Sequence, residues 1–260
     1  MKQLLTKKNL VLLAVIVAVY ALLWGLDSQG MFYRQTKALL VPIGINIILA
    51  VSLNLIVGFL GELSLGHAGF MSVGAYAGCM LTIYADLPMA IELPLAMLFG
   101  GLVAAIFGVI IGIPALRLRG DYLAIVTLAF GEIIRSILNN LSFVGGSGGL
   151  NGIPRYSNYT VVYVMLVITV IVITNLVNSR HGRAICSIRD NKIAAESMGI
   201  PVVYYKLLAF VVAAFFAGIA GVLYGHNLGI LKPSTFDFNK SIEILVMVVM
   251  GGMGNIPGSI

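Results

Sequence analysis

Charged residues are scarce in this sequence of 260 residues, and their scarcity excludes an ordinary soluble domain. Asp, Glu, Lys and Arg together make up 10% of the chain, whereas hydrophobic residues make up 60%. A soluble globular domain carries about 25% charged residues. The sequence therefore predicts a protein whose solvent is the lipid bilayer.

Cysteine and the common catalytic motifs are also scarce or missing. Two cysteines give no disulfide framework, and no Cys/His spacing is typical of a zinc site. The sequence contains no Ser-His-Asp set, no carboxylate pair at catalytic spacing and no G-x-x-x-x-G-K-[ST] motif. We therefore expect no enzyme, no bound metal and no cofactor. If ATP drives this protein, another polypeptide hydrolyses it.

The net charge of +6 does not indicate a nucleic-acid partner, because the basic residues are spread over short loops rather than gathered on one face.

Long apolar runs recur along the chain. A run of roughly 20 residues is enough to cross the ~30 Å hydrocarbon core as a helix. Because the runs do not alternate between polar and apolar residues, they predict helices and not barrel strands. We expect an all-α, polytopic transmembrane bundle of about eight spans and one domain, residues 1–260. The predicted spans are 9–26, 38–59, 67–84, 92–114, 122–139, 159–178, 206–229 and 241–254.

The distribution of Lys and Arg predicts a cytoplasmic N-terminus. The N-terminal segment has no A-x-A cleavage site before Asp27, so we interpret it as a retained first span. With eight spans, more basic residues lie on the inside than on the outside. The inside residues are Lys2, Lys7, Lys8, Arg117, Arg119, Arg180, Arg183, Arg189, Lys192 and Lys206. The outside residues are Arg34, Lys37, Arg155, Lys232 and Lys240.

Small residues recur every four positions in two of the predicted spans. This spacing places them on one helix face, where they let neighbouring backbones approach closely. The pattern favours one compact bundle over a set of separate anchors. The two series are Ala209, Ala213, Ala217, Gly221, Gly225 and Gly229, and Gly100, Ala104, Gly108 and Gly112.

The stretch "RDNKIAAESMGIP", residues 189–201, predicts a short polar helix between two apolar spans. Asp190 can cap the helix start by accepting from free N–H groups. Gly199 suits the left-handed position just past a helix end, and Pro201 stops the helix from continuing. These residues frame about two turns, from Asn191 to Met198.

The two faces of this short helix differ. One face carries charge: Arg189, Lys192 and Glu196. The other is small and mildly apolar: Asn191, Ala194, Ala195 and Met198. The second face suits docking into a groove of another protein. Two alternatives stay open, a solvated loop with an incidental helix, and a helix lying on lipid, which would favour larger apolar residues.

Polar groups inside membrane spans are costly and often functional. Glu132 and Arg135 lie three residues apart on one helix, where they can pair. Each polar residue also has a structural interpretation, as an internal pair, a turn residue or an interhelical hydrogen bond. The candidates for a substrate pathway are Asn54, Glu62, Ser64, His67, Glu132 and Arg135.

Several stretches, in order, resemble the membrane-spanning permease subunit of bacterial branched-chain amino acid ABC importers, the Liv-type permeases. The matching segments cover most of the chain after about Ile45. They are "NLIVGFLGELSLGHAGFMSVGAYAG" (54–78), "PALRLRGDYLAIVTLAFGEIIR" (114–135), "GGSGGLNGIP" (145–154), the run from "SRHGRAICSIRDNKIAAESMGIP" to "LYGH" (179–226), and "SIEILVMVVMGGMGNIPGSI" (241–260).

The resemblance implies that the short helix is the family's coupling helix, which seats in a cleft of an ATP-hydrolysing subunit. Ala194, Ala195 and Gly199 are similar to its Glu-Ala-Ala…Gly pattern, although Ile193 stands in the place of the leading acid. The implied coupling residues are Arg189, Asp190, Asn191, Lys192, Ala194, Ala195, Glu196, Met198 and Gly199.

The resemblance also implies the partners and the location. These are a second homologous permease subunit, ATP-binding subunits that hydrolyse the ATP, and a periplasmic or lipid-anchored substrate-binding protein. The chain would lie in the bacterial inner membrane. Because the family continues with further spanning sequence and this chain stops at "GGMGNIPGSI", we expect one or more spans beyond residue 260.

Alternative functions stay open at this point. A sister permease for urea or short amides would differ only in its pocket. A proton-coupled secondary carrier would need a relay, for which Glu132, His67 or Glu243 are candidates. No internal repeat supports the carrier, and the short helix has no role in it.

Overall fold

A computed structural model describes residues 34–85, 88–115, 118 and 120–260, and this part of the chain is a bundle of α-helices. A π-helix, Leu55–Leu60, follows α1 directly. Two short strands, β1 (Leu150–Asn151) and β2 (Ile230–Leu231), pair antiparallel. The helices are α1 (Arg34–Asn54), α2 (His67–Ala85), α3 (Met89–Ala115), α4 (Asp121–Asn140), α5 (Tyr159–Asn178), α6 (Arg180–Asp190), α7 (Lys192–Ser197), α8 (Val202–Leu228) and α9 (Phe238–Gly251).

Five helical segments in the described residues are long and apolar enough to cross a membrane. They agree with five of the predicted spans, so the prediction of a polytopic helical bundle is confirmed. The segments are Ala38–Leu60, His67–Ala85, Met89–Pro114, Tyr159–Asn178 and Val202–Leu228. The predicted first span, 9–26, and the N-terminal orientation lie outside the described residues.

The other two predicted spans differ from these five. Helix α4 has 20 residues, long enough to cross the hydrocarbon core, but its composition is more polar than that of the five segments. Helix α9 ends at Gly251 and has 14 residues. At 1.5 Å per residue it is about 21 Å long, shorter than the hydrocarbon core. The predicted span 241–254 is therefore not a full crossing by this helix alone.

Helix α8 lies at the centre of the bundle, where α2 and α3 pack against it and against each other. Small residues make these contacts possible: a Cβ added at Gly218 would lie 2.6 Å from the Ala104 side chain and 2.8 Å from the Gly100 carbonyl oxygen. Ala209, Ala213 and Ala217 are completely buried. The predicted close packing at small residues therefore occurs.

The connections at one end of the bundle pack together. The glycine-rich segment between α4 and α5 supplies β1, and the segment between α8 and α9 supplies β2. Buried His226 bonds through Nδ1 to the Pro154 carbonyl at 2.7 Å, which ties this connection to α8. This packing fixes the end of the bundle opposite α7.

Candidate functional site

The short helix α7 begins one residue later than the sequence predicts. Asn191 has an extended backbone (φ −158°, ψ 105°), and its side-chain oxygen accepts from the Ala194 N–H at 3.0 Å. Asp190 is instead the last residue of α6, and its carboxylate accepts from Nε and Nη2 of Arg189, each at 3.1 Å. The prediction of Asp190 as the cap is wrong, because a capping residue has a non-helical backbone.

The end of α7 matches its prediction. Gly199 adopts a left-handed conformation with φ 79°. Its N–H donates to the Glu196 carbonyl at 3.0 Å, and the Ile200 N–H donates to the Ala195 carbonyl at 3.1 Å. This pair of hydrogen bonds is a Schellman motif. An isolated helix of six residues would be marginal in water, so the two caps are what hold α7 in shape.

The apolar side chains of α7 divide between the interior and the surface. Ala195 is buried against the bundle and Ala194 is exposed. Ile193 and Met198 are 74% and 82% exposed. The predicted docking face is therefore corrected: Ala195 anchors α7 to its own chain, and the exposed part consists of Ile193, Ala194 and Met198. We call these three residues the α7 surface.

The charged residues near α7 are all engaged. Lys192 Nζ lies 3.8 Å from Glu196 Oε1, so these two share a face as predicted. Arg189, a predicted coupling residue, is 41% exposed and also bonds within its own bundle. Its Nη1 donates to the Gly58 carbonyl in the π-helix at 3.1 Å.

A buried ion pair lies beside α7. The Lys206 ammonium of α8 pairs with the Glu62 carboxylate, and both side chains are largely excluded from solvent. The pair borders a cleft of about 400 Å³ between the loop after the π-helix and the α6–α7 junction. The cleft is lined by Glu62, Ile188, Arg189, Asp190, Asn191, Lys192, Ile193 and Lys206.

Asn54, a predicted pathway residue, binds the C-terminal segment of the described chain. Its amide nitrogen donates to the Asn255 carbonyl at 3.1 Å and to Ser259 Oγ at 2.8 Å, and its oxygen accepts from the Gly254 N–H at 2.9 Å. Asn54 is completely buried. Both ends of its amide are therefore engaged within the chain.

Ser64 and His67 lie at the start of α2 and are completely buried. Ser52 Oγ donates to the Leu49 carbonyl at 2.9 Å and lies 2.9 Å from His67 Nε2. The Ser52 hydroxyl thus engages Nε2 of the His67 ring, and Nδ1 is the other ring nitrogen. Among the described residues, neither Nδ1 nor Ser64 Oγ has a hydrogen-bond partner.

Glu132 and Arg135 pair on α4, as their spacing predicts. Arg135 Nη2 lies 2.6 Å from Glu132 Oε2, and its Nε donates to the same oxygen at 2.8 Å. About one third of each side chain is exposed, 35% for Arg135 and 32% for Glu132. Glu132 also borders a small cleft with Leu65 and Ala68, which flank Ser64 and His67 in the chain.

The structure thus brings some of the predicted site residues together and separates others. Glu62 lies in one cleft with Arg189, Asp190, Asn191 and Lys192. Asn54 is engaged by the C-terminal segment, and the pair Glu132–Arg135 lies on another helix. The described residues contain no group of three His, Cys, Asp or Glu side chains that could hold a metal ion.

A family model supplies the context for this arrangement. The model described as the branched-chain amino acid transport system, permease component, matches residues 35–260. The chain belongs to this family. The match includes the π-helix, α7 and every pathway candidate, so this permease family covers the whole described site.

Curated relatives of the permease carry related names. Two of them are the high-affinity branched-chain amino acid transport system permease proteins LivM of Salmonella typhimurium and of Escherichia coli. The chain is 37% identical to each over 190 residues, which cover 60% of this chain and 45% of each relative. A permease protein LivH of Escherichia coli is 35% identical over 81 residues, 31% of this chain and 26% of the relative. The chain spans about half the length of the LivM relatives it matches. No solved structure matches it.

The outer surface of the permease has two different sides. The exposed residues in the middle of α3 and α5, over positions 91–113 and 164–172, are all apolar and suit lipid contact. The outer face of α4 exposes Ser136 and Asn140 and about a third of the Glu132–Arg135 pair, together with Ile133 and Ile137. Charged side chains in spans usually face a bundle interior or a water-filled cavity. The α4 face is therefore less suited to lipid than the faces of α3 and α5.

The sequence analysis missed three polar residues of these sites. Lys206 was counted only as an inside basic residue at the edge of the predicted span 206–229, but it lies in the first turns of α8, buried against Glu62. Thr127 accepts from the Leu65 N–H at 3.0 Å, and Ser259 binds Asn54. Of the three, only Lys206 could have been recognised from the sequence, because it is a lysine at the edge of an otherwise apolar run.

Proposed function

We propose that this permease is a membrane subunit of an ATP-driven bacterial importer for branched-chain amino acids, which an external substrate-binding protein delivers. The observation that carries the proposal is α7, a helix capped at both ends that presents Ile193 and Met198 away from the bundle. Exposed apolar side chains on a helix that projects from the bundle are what an interaction site with another protein would need. A short helix with one apolar edge fits a groove in another protein, and we assign that groove to an ATP-hydrolysing subunit.

The proposed location is the bacterial inner membrane, with the N-terminus and α7 on the cytoplasmic side. Basic residues support this side for α7, because cytoplasmic loops carry an excess of Lys and Arg. Arg180, Arg183, Arg189 and Lys192 all lie in or beside α6 and α7. The permease itself would hold no cofactor, and ATP would bind to the partner.

The proposed assembly contains a second, homologous permease in addition to two ATPase subunits. The polar outer face of α4 supports it, since a half-exposed ion pair is better covered by protein or by a solute path than by lipid. We retain Ser64, His67, Glu132 and Arg135 as candidates for lining that path. The names of the LivM and LivH relatives support branched-chain amino acids as the substrates.

Introducing negative charge on the α7 surface by substitution tests whether this surface binds the ATPase subunit. We expect the double variant Ile193→Asp, Met198→Asp to insert and fold, because both side chains are exposed. It should retain less than about one tenth of the ATPase subunit that co-purifies with the wild type, since an apolar side chain buried at an interface is worth roughly 1.5–3 kcal/mol. The measurement is co-purification in mild detergent from the native host.

The control is Phe143→Asp, which places one such charge on an exposed aromatic residue in the α4–α5 connection, and each single variant of the α7 surface is compared with it. It should keep the ATPase subunit. Undiminished co-purification with the double variant would remove the main support for the proposal.

A further inference from the structure

The π-helix and the loop after it, residues 55–66, are contacted by two helices, the one before α7 in the chain and the one after it. Arg189, at the end of α6, donates to the Gly58 carbonyl at 3.1 Å. Lys206, in the first turns of α8, pairs with Glu62. The elements before and after α7 in the chain therefore both contact the same segment, which we call the connecting segment.

The Arg189 contact satisfies a backbone group that the helix itself leaves free. The last carbonyls of any helix have no partner within it, and this π-helix ends at Leu60, two residues after Gly58. Gly61 follows with φ 75°, and a Cβ added there would meet the Arg189 side chain. Arg189 thus packs on the turn as well as bonding to it.

The far end of the connecting segment contacts the helices of the candidate pathway. The Leu65 N–H donates to Thr127 Oγ1 on α4 at 3.0 Å. Just beyond the segment, the Ala68 N–H donates to Ser241 Oγ on α9 at 3.2 Å. Helix α4 also carries Glu132 and Arg135. The segment therefore runs from the cleft beside α7 to α4 and, at the start of α2, to α9.

Stability alone gives little reason for a buried Glu62–Lys206 pair. The cost of desolvating two charges can exceed their attraction, and neutral side chains of similar volume are often equally stable. A π-helix, in addition, is rare and is frequently found at functional sites. Both features lie in the one segment that connects α7 to α4.

We propose that the Glu62–Lys206 pair and the Arg189–Gly58 contact transmit movement of α7 to the connecting segment, and through it to α4. Glu62, Lys206 and Arg189 are then positioning residues for transport, which touch neither the ATPase nor the solute. The proposal rests on the proposed function, because it needs a partner that moves α7.

The test uses the complete transporter, reconstituted in vesicles with its ATPase, its partner permease and its binding protein. Leucine import and ATP hydrolysis are measured in the same vesicles. The double variant Glu62→Gln, Lys206→Met removes both charges and nearly conserves volume. We expect it to hydrolyse ATP at close to the wild-type rate but to import about tenfold less leucine per ATP, within the range that coupling networks carry.

Arg189→Met gives an independent variant, since its half-exposed side chain is not needed to fill the interior. It should lower import per ATP in the same direction. Arg183→Met is its control on the same helix, because Arg183 is exposed and bonds to the end of α5. If the double variant fails to fold, the Arg189 comparison decides the question.

The ratio of import to ATP separates transmission from structural damage, which would lower both rates together. An unchanged ratio in folded variants would overturn the proposal. A wild-type complex that imports nothing when given ATP would instead refute the proposed function.

Discussion

At the scale of single residues, Asn54 shows how a polar group in a membrane helix can serve architecture. Its completely buried amide makes three hydrogen bonds, to the Gly254 N–H, the Asn255 carbonyl and the buried Ser259 hydroxyl. A Cβ added at nearby Gly58 would overlap both Asn54 and Gly254. The C-terminal segment therefore packs directly on the first turn of the π-helix through Asn54.

We expect Asn54→Ala to lower the apparent stability of the permease in detergent by roughly 1–3 kcal/mol, because it removes three hydrogen bonds made from a completely buried position. Asn46→Ala, at a half-buried position on the same helix, is the control and should change stability less. Thermal unfolding of the purified permease measures both. Equal stability of the two variants would mean that the C-terminal segment is held by other contacts.

Interactions between residues close in sequence could be predicted, and those between distant residues could not. The Glu132–Arg135 pair follows from a spacing of three on a helix, and Gly199 follows from its place after a short helix. Asn54 and Asn255 are 201 positions apart, and no periodic pattern connects them. The pairing of Lys206 was missed for the same reason, because its partner Glu62 belongs to another element.

At the scale of elements, α4 is the helix whose exposed polar side chains most favour contact with another protein. Its outer face exposes Ser136, Asn140 and about a third of the ion pair among isoleucines, whereas the middle of α5 exposes only apolar side chains. We expect a photo-crosslinker attached to Ser136→Cys to form adducts with a partner permease. The same crosslinker on Ile168→Cys of α5 should face lipid and form few protein adducts.

The native cysteines give this experiment a low background. Cys79 is buried, and burial raises the pKa of the Cys186 thiol above its ordinary value, so little of it is thiolate near neutral pH. Adducts are identified by mass after denaturing electrophoresis. Equal adducts from both positions, or adducts from Ile168→Cys alone, would contradict the assignment of the α4 face.

The positions of the long helices were predictable, and the exact ends of the short ones were less so. Apolar runs located the five spanning segments within a few residues, because the bilayer imposes length and composition. The cap of α7 was misplaced by one residue, since Asp190 and Asn191 are both good capping residues. Helix α9 ends at Gly251, before the predicted 254, and Gly252 follows with φ 96°.

At the scale of the whole molecule, the bundle has a central helix, an apolar side and a polar side. Helix α8 contacts α2, α3 and α1, and its first turns carry Lys206 beside α7. A movement imposed at α7 therefore acts on the helix that most of the bundle packs against. The sequence could predict the composition of this bundle, but not which faces meet, because small residues on several helices suit close packing equally.

The energy source distinguishes the proposed importer from the alternatives that the sequence left open. We expect cells or vesicles containing the complete transporter to take up leucine only with the binding protein and ATP present. Because no proton relay is needed, uptake should persist when a protonophore collapses the proton gradient while ATP is maintained. Excess valine should compete with labelled leucine, and excess urea should not.

Uptake that proceeds without the binding protein and stops with the protonophore would indicate a secondary carrier. Competition by urea or short amides in place of valine would indicate the sister permease.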